Sequence, residues 1–279
     1  VSGHRIPAGI VNARAAKFSL VRHPPSPELR PYVDHHWVLR WDLRGRPGAE
    51  QVVLPNLAVN VTFFRLAAGA FGPGKRPFRY LVEGTDHGIG VRFRPGAFRA
   101  FLGGPVSMIS GGSVPLTDLF PGDGGVTESV RNATDDFEMV RVAEELLLAK
   151  HPVLTAAAAA AIEAVETIAA EPSITRVAEL SSRTGLSQRS LQRLFAEHVG
   201  TAPKWAIQVY RLNEAAARIA AEERPDYAEL AFTLGYSDQA HFTRDFRSVT
   251  GWAPTEYARL NRVQEQESRR EKFPGGRLV

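Results

Sequence analysis

Arg189, Gln192 and Arg193 stand at i, i+3 and i+4, so on a helix they share one stripe. Guanidinium and carboxamide groups are the side chains that form bidentate hydrogen bonds with base edges in a DNA major groove. A second set, Gln239, His241, Thr243 and Arg244, offers the same chemistry further along the chain. Each set faces away from an apolar stripe: Leu191, Leu194, Phe195 and Val199 in the first, Phe242, Phe246 and Val249 in the second. Two readings stay open at this level. The polar stripes can contact base edges or phosphates, or they can be solvated helix faces, with His241 on the rim.

The elements that would position these groups repeat. Val177-Ala178-Glu179-Leu180-Ser181 leads to Gly185-Leu186-Ser187, then Leu191, Arg193, Phe195, Gly200 and Pro203. Tyr227-Ala228-Glu229-Leu230-Ala231 leads to Gly235-Tyr236-Ser237, then Phe242, Arg244, Phe246, Gly251 and Pro254. The offset is 50 residues up to the turn and 51 after it, so one extra residue sits near Asp238. Each copy has the grammar of a helix-turn-helix. Gly185 and Gly235 can take the left-handed conformation that ends a helix, and Ser187, and Ser237 or Asp238, can cap the next. Small Ser181 and Ala231 let the two helices cross closely. Between the copies, residues 204–221 read as one helix, with Trp205, Val209, Leu212, Ala216 and Ile219 recurring helically. At 1.5 Å per residue that spacer is roughly 27 Å long, which suits two readers on successive major-groove segments of one DNA face.

At this point the chain resembles the AraC/XylS family of transcription regulators. The likeness spans about residues 174–257, and its most specific stretch runs Leu234-Gly235-Tyr236-Ser237-Asp238-Gln239-Ala240-His241-Phe242-Thr243-Arg244-Asp245-Phe246, followed by Gly251 and Pro254-Thr255-Glu256-Tyr257. The resemblance implies a bihelical-repeat domain that binds double-stranded DNA, with recognition helices on 188–197 and 239–248. Gln188, Arg189, Gln192, Arg193, Gln239, Ala240, His241, Thr243 and Arg244 are then the expected DNA contacts. A weaker likeness covers Pro31-Tyr32-Val33, Leu54-Pro55-Asn56, residues 91–96 and 114–119. It implies a β-rich regulatory region that takes a small-molecule effector, forms a homodimer, or both. RNA polymerase is the further partner implied for an activator, and the cytoplasm is the implied compartment.

The N-terminal pattern agrees with a β-rich region. Residues 37–39, 52–54, 59–64 and 91–94 read as strands between Gly and Pro clusters, which suggests a small barrel, cupin-like, or a sandwich. Residues 1–31 read as an irregular arm and 121–125 as a loop. Helices fit 136–150 and 155–170. The fold class expected is therefore α+β: a β-rich domain over residues 1–152, an all-α domain of two helix-turn-helix units over 153–262, and a flexible tail over 263–279. The helix at 136–150 can be a dimer face or can pack on its own barrel. Trp37, Trp41, Phe63, Phe64 and Phe93 can line an effector pocket, or be plain core.

Charge and composition decide less. The net charge is +4, with +1 in residues 1–171 and +3 in 172–279. That is compatible with nucleic acid without being diagnostic of it. No apolar run reaches the ~20 residues of a membrane span, and residues 1–20 lack the apolar core of a secretory signal. There is no cysteine, which excludes disulfides, thiolate zinc sites and thiol nucleophiles. Some DNA-repair enzymes carry the same kind of DNA-binding domain, but methyl transfer to the protein needs a cysteine acceptor. No hydrolase or oxygenase constellation can be assembled either, so no enzyme activity and no cofactor are expected. Adjacent His35 and His36 point to opposite faces of a strand, so no metal site is expected there.

Overall fold

The computed structural model describes residues 18–65, 67–122 and 125–262. The expected tail, 263–279, and the middle of the expected 121–125 loop lie outside them.

Eight strands make up the N-terminal part: β1 (Phe18–His23), β2 (Val33–Asp42), β3 (Ala49–Val53), β4 (Asn60–Phe63), β5 (Ala68–Phe71), β6 (Phe78–Val82), β7 (Thr85–Phe93) and β8 (Ser113–Val114). They form two sheets rather than one closed barrel. Six run antiparallel in the order β1-β2-β7-β4-β5-β8, and β3 pairs with β6 as a separate ribbon. Side-chain alternation with period 2 gives the large sheet two distinct faces. Val38, Val61, Phe63, Ile89, Val91 and Phe93 share a core with Phe98, Phe101, Met139, Ala143 and Leu147. The opposite face carries Trp37, Asn60, Thr62 and Arg92.

Residues 18–23 correct the expectation of an irregular arm. They pair with residues 36–41 of β2, Phe18 opposite Trp41 and His23 opposite His36. Backbone pairing at a sheet edge needs no apolar periodicity, so the Arg and His there concealed it. The strands read from the sequence overlap β2, β3, β4 and β7, with residues 54, 59, 64 and 94 falling just outside them. β5 and β8 are short, and Ala68-Gly69-Ala70-Phe71 carries no β-branched residue, while β6, Phe78-Arg79-Tyr80-Leu81-Val82, has only one, so none of the three is legible as a strand.

Three short helical turns follow, α1 (Arg99–Leu102), α2 (Leu116–Leu119) and α3 (Val126–Arg131), then α4 (Asp136–Leu148). α4 lies against the core face of the sheet. His36 is buried on that face, with Nε2 2.8 Å from Glu144 of α4, and Arg40 Nη1 is 2.5 Å from Asp136. His35 points the other way and pairs with Asp34 at 3.2 Å, so the two histidines do occupy opposite faces. Met139, Ala143, Leu146 and Leu147 bury α4's inner stripe against the sheet, while Phe137 is 76% exposed.

The C-terminal part is helical: α5 (Ala156–Ala170), α6 (Val177–Thr184), α7 (Gln188–Leu194), α8 (Pro203–Ala221), α9 (Tyr227–Thr233) and α10 (Gln239–Thr250). A final helical stretch covers residues 254–262. Pro203 at the first position of α8 has its ring where no N–H is needed. The first recognition helix is shorter than expected, because Phe195–Val199 form a π turn closed by Gly200 N–H donating to the Phe195 carbonyl at 2.7 Å.

The two parts are in contact. Val52 and Leu54 belong to the same core as Leu212, Ala216, Tyr236, Phe242 and Phe246. Asn213 Nδ2 donates to the Pro55 carbonyl at 2.9 Å in a buried setting, and the Arg79 guanidinium stands 5.3 Å over the Trp252 ring.

Candidate nucleic-acid interface and effector cavity

In the first unit, α6 begins where the Glu179 carboxylate accepts from the Thr175 and Arg176 backbone N–H groups at 2.7 and 3.0 Å. Those bonds, Thr175's first, hold its carboxyl below the ordinary range against the opposing effect of burial. Gly185 stops the helix at φ +70°. Ser187 Oγ accepts from Ser190 N–H at 3.1 Å and so caps α7. Ser181 Oγ donates to the Leu186 carbonyl at 2.6 Å, tying the turn to the helix before it. Leu180, Leu191 and Phe195 are fully buried with Ile168, Ala206 and Val209. Gln188, Arg189, Gln192 and Arg193 are all exposed.

The second unit repeats this with one change. Gly235 has φ +73°, but the cap of α10 is Asp238, whose Oδ1 accepts from His241 N–H at 2.7 Å. Ser187 follows its glycine by two residues and Asp238 follows its own by three, which accounts for the change in offset from 50 to 51. Phe242, Phe246 and Val249 are buried, and Gln239, Ala240, His241 and Arg244 are exposed, with Thr243 half-buried. Arg247, also exposed, continues the Ala240 and Arg244 stripe. The sequence reading left it out, although i, i+4, i+7 spacing would have found it. His241 packs edge-on to Tyr236 with ring centroids 5.2 Å apart.

Helix α8 holds the units together. Its Arg211 guanidinium lies 4.3 Å over the Tyr236 ring and donates through Nε to the Leu234 carbonyl at 2.9 Å. Gln208 Nε2 donates to Asp245 of α10 at 3.1 Å. Both contacts pin the second unit to α8, so that α10, with its exposed polar face, is held against the spacer. Leu212, Ala215, Ala216 and Ile219 supply the apolar backing.

Parts of the chain are similar to known proteins. Residues 180–260 match the model of a helix-turn-helix domain family. The carboxy-terminal part of the chain is an AraC-type helix-turn-helix domain. Residues 21–115, ahead of the AraC-type domain, match a domain of unknown function, DUF6597. The probable transcriptional regulator LumQ of Photobacterium leiognathi is 36% identical over 29% of this chain and 32% of its own length. The transcriptional activator RhaS of Escherichia fergusonii is 31% identical over 28% of this chain and 27% of its own. The regulator GlxA of Rhizobium meliloti is 29% identical over 56% and 50%. The chain thus spans between about a quarter and a half of the length of the curated relatives it matches. A solved structure of ToxT from Vibrio cholerae aligns over 88% of this chain and 98% of its own at 10% identity, with a TM-score of 0.39.

A cavity of about 1340 Å³ opens between the sheet, the β3–β6 ribbon, and helices α5 and α8 of the AraC-type domain. Of the five aromatics expected to line an effector pocket, Trp37 does so. Its indole covers Gly90 so closely that a Cβ there would come within 2.1 Å of the ring. Phe63 and Phe93 do not line it. Strand alternation turns both into the core on the other face, where Phe93 packs edge-on to Phe98 and Phe101. Trp41 is also excluded, packed with Leu43, Phe64 and Val82 and donating to the Glu83 carbonyl at 3.1 Å. Phe64 does line the cavity.

Several polar groups of the cavity lie near where the two parts meet. Arg92 on β7 is 3.4 Å from Asp34 and donates to Asn56 Oδ1 at 3.2 Å. Burial raises the Asp34 carboxyl, but His35, Arg92 and Arg94 together outweigh it and leave the group below its ordinary value. Burial pushes the Tyr210 hydroxyl of α8 up to about 12, against the pull of nearby Arg92. Arg94 reaches across to Glu166 of α5. This set is not legible in the sequence, because its members come from β2, β7, α5, α8 and the loops at residues 56 and 94.

Proposed function

We propose that the chain is a sequence-specific DNA-binding transcription regulator whose α7 and α10 enter successive major-groove segments. The observation that carries the reading is the pairing of two exposed polar stripes, on α7 and α10, with buried faces locked through α8. Gln188, Arg189, Gln192 and Arg193 are assigned to one groove segment, and Gln239, Ala240, His241, Thr243 and Arg244, with Arg247, to the next. A spacer of 19 residues spans about 28 Å, close to one DNA turn once the bulk of each unit is added. Residues 1–152 are assigned to sensing, 153–262 to DNA binding and 263–279 to a tail. Occupancy of the cavity by a small-molecule effector is proposed to set the posture of the DNA-binding domain, since its walls come from both parts. The reading extends to a homodimer, to RNA polymerase where the regulator activates, to work in the cytoplasm, and to a protein without catalysis.

Selection of bound sequences from random DNA tests this directly, followed by fluorescence anisotropy on the selected site. Phosphate contacts release counterions, so affinity should fall by about a thousandfold or more between roughly 50 and 200 mM salt if six or more phosphates are neutralised. A flat response across that range would sink the reading.

A further inference from the structure

We propose that the cavity contains a subsite for a neutral planar lactam or imide, whose amide edge is read by Gln51, and that strand β3 relays its occupancy to the second helix-turn-helix unit. This rests on the cavity being the effector site. Gln51 lines the cavity at 7% exposure, and neither its Nε2 nor its Oε1 has a hydrogen-bond partner. A buried carboxamide left unpaired on both atoms is destabilising, and native proteins avoid it. The group offers a donor and an acceptor side by side, the complement of the N–H and C=O edge of a cyclic amide. An ionised carboxylate would answer the donor and leave Oε1 facing a second acceptor.

The surroundings favour the same class. The interior cations are already engaged: Arg92 by Asp34 and Asn56, Arg94 by Glu166, Arg211 by the Leu234 carbonyl. Arg22, Lys75 and Arg76 are exposed at the rim, where water screens them. Tyr80 stands directly across from Gln51 in the β3–β6 register. It leads into a run of rings: Tyr80 to Trp41 at 6.3 Å, Trp41 to Phe64 at 5.9 Å, and Phe64 stacked on Trp37 at 5.6 Å and 27°. Tyr80, Phe64 and Trp37 all line the cavity, and flat faces of this kind take planar rings by stacking.

The route out is one residue long. Successive strand residues face opposite ways, and Val52, next to Gln51, is fully buried in the core it shares with Leu212, Tyr236, Phe242 and Phe246. A ligand that draws Gln51 toward itself therefore acts on the strand that packs the second unit.

The test titrates the full chain, by calorimetry, with 2-quinolone, uracil and phthalimide, each beside its fully N-methylated form, and with 1-naphthoate as an anionic comparator. The expected result is at least one N–H form binding tenfold tighter than its N-methyl partner, a preference that vanishes in Gln51→Leu. The same compound should change affinity for the selected DNA site at least threefold. Gln51→Leu should melt no lower than wild type, since leucine there abandons no partner. A lower melting temperature, or the absence of any N–H preference, overturns the subsite. So does a preference that survives Gln51→Leu, or tighter binding of 1-naphthoate than of every lactam. Binding without any change in DNA affinity overturns the relay. If no DNA sequence can be selected, the regulator reading fails while the calorimetric preference still decides the subsite.

Discussion

Gly185 and Gly235 occupy equivalent turns with nearly identical backbone, φ +70° and +73°, and alanine at each should have very different consequences. An L-residue in the left-handed region costs about 1–2 kcal/mol. Against this, alanine restricts the unfolded chain and returns about 0.4–1 kcal/mol. At Gly185 an added Cβ meets nothing within 4 Å, so the net loss should be about 0–1.6 kcal/mol. At Gly235 the same atom comes 2.9 Å from Thr175 Cγ2 and 3.8 Å from Arg211 Nη2. Thr175 cannot easily turn aside, because its N–H and Oγ1 both bond to Glu179, at 2.7 and 3.3 Å. Overpacking of this kind adds about 1–3 kcal/mol, giving a total of about 1–4.6 kcal/mol. Urea unfolding of the two variants beside wild type reads the difference as a shift in midpoint at constant slope. Equal losses would refute the steric argument, and a larger loss at Gly185 would mean that the α6–α7 turn is packed against something else. Asparagine, which tolerates left-handed geometry, should largely rescue Gly185 and not Gly235.

Other perturbations separate packing from reading. Phe195→Ala empties a fully buried site and should cost roughly 3–5 kcal/mol of stability, measured by thermal melting. Exposed Arg193→Ala should leave melting unchanged and weaken binding to the selected site by about 1–3 kcal/mol if it reads a base. If it neutralises a phosphate instead, losses should be uniform across sequences and the salt slope should drop by about one unit. An Arg193 variant that melts early but binds normally would show that the two faces are assigned backwards. Burial raises the Tyr210 and Tyr236 hydroxyls from 10.0 to about 12. Folding thus disfavours their phenolates, so their contribution to stability is intact below about pH 10 and is lost as pH rises from 10 toward 12. Ultraviolet titration of tyrosinate should show two late groups, one of which disappears in Tyr236→Phe.

The helical part of the fold is far more legible in the sequence than the sheet. Its signals are local: a glycine, a cap four residues before a buried apolar side chain, and apolar positions at helical spacing all lie within a dozen residues of each other. Even so, the π turn at Phe195–Val199 carries no signature in residue type, and it shortens the first reader. Strand order and the partition into two sheets depend on contacts between distant segments. That is why β1, rich in Arg and His, looked like an arm. The cavity illustrates the same limit. Aromatic type alone pointed equally to Trp37, which lines it, and to Phe63 and Phe93, which do not. Only the register of β2, β4 and β7 tells which face each occupies. Gln51 was invisible, since a glutamine in Glu50-Gln51-Val52 acquires meaning only when the strand is buried on both sides.

The two readers are joined head to tail by one helix, and the second carries a turn one residue longer than the first. Such an arrangement has no two-fold axis. A symmetric dimer of single readers matches a palindrome and sits on it the same way in either orientation, whereas a tandem, unequal pair distinguishes upstream from downstream. Each bound chain therefore imposes a polarity on its DNA, and inverting the site would turn the sheet-bearing half of the molecule to face the opposite direction along the chromosome.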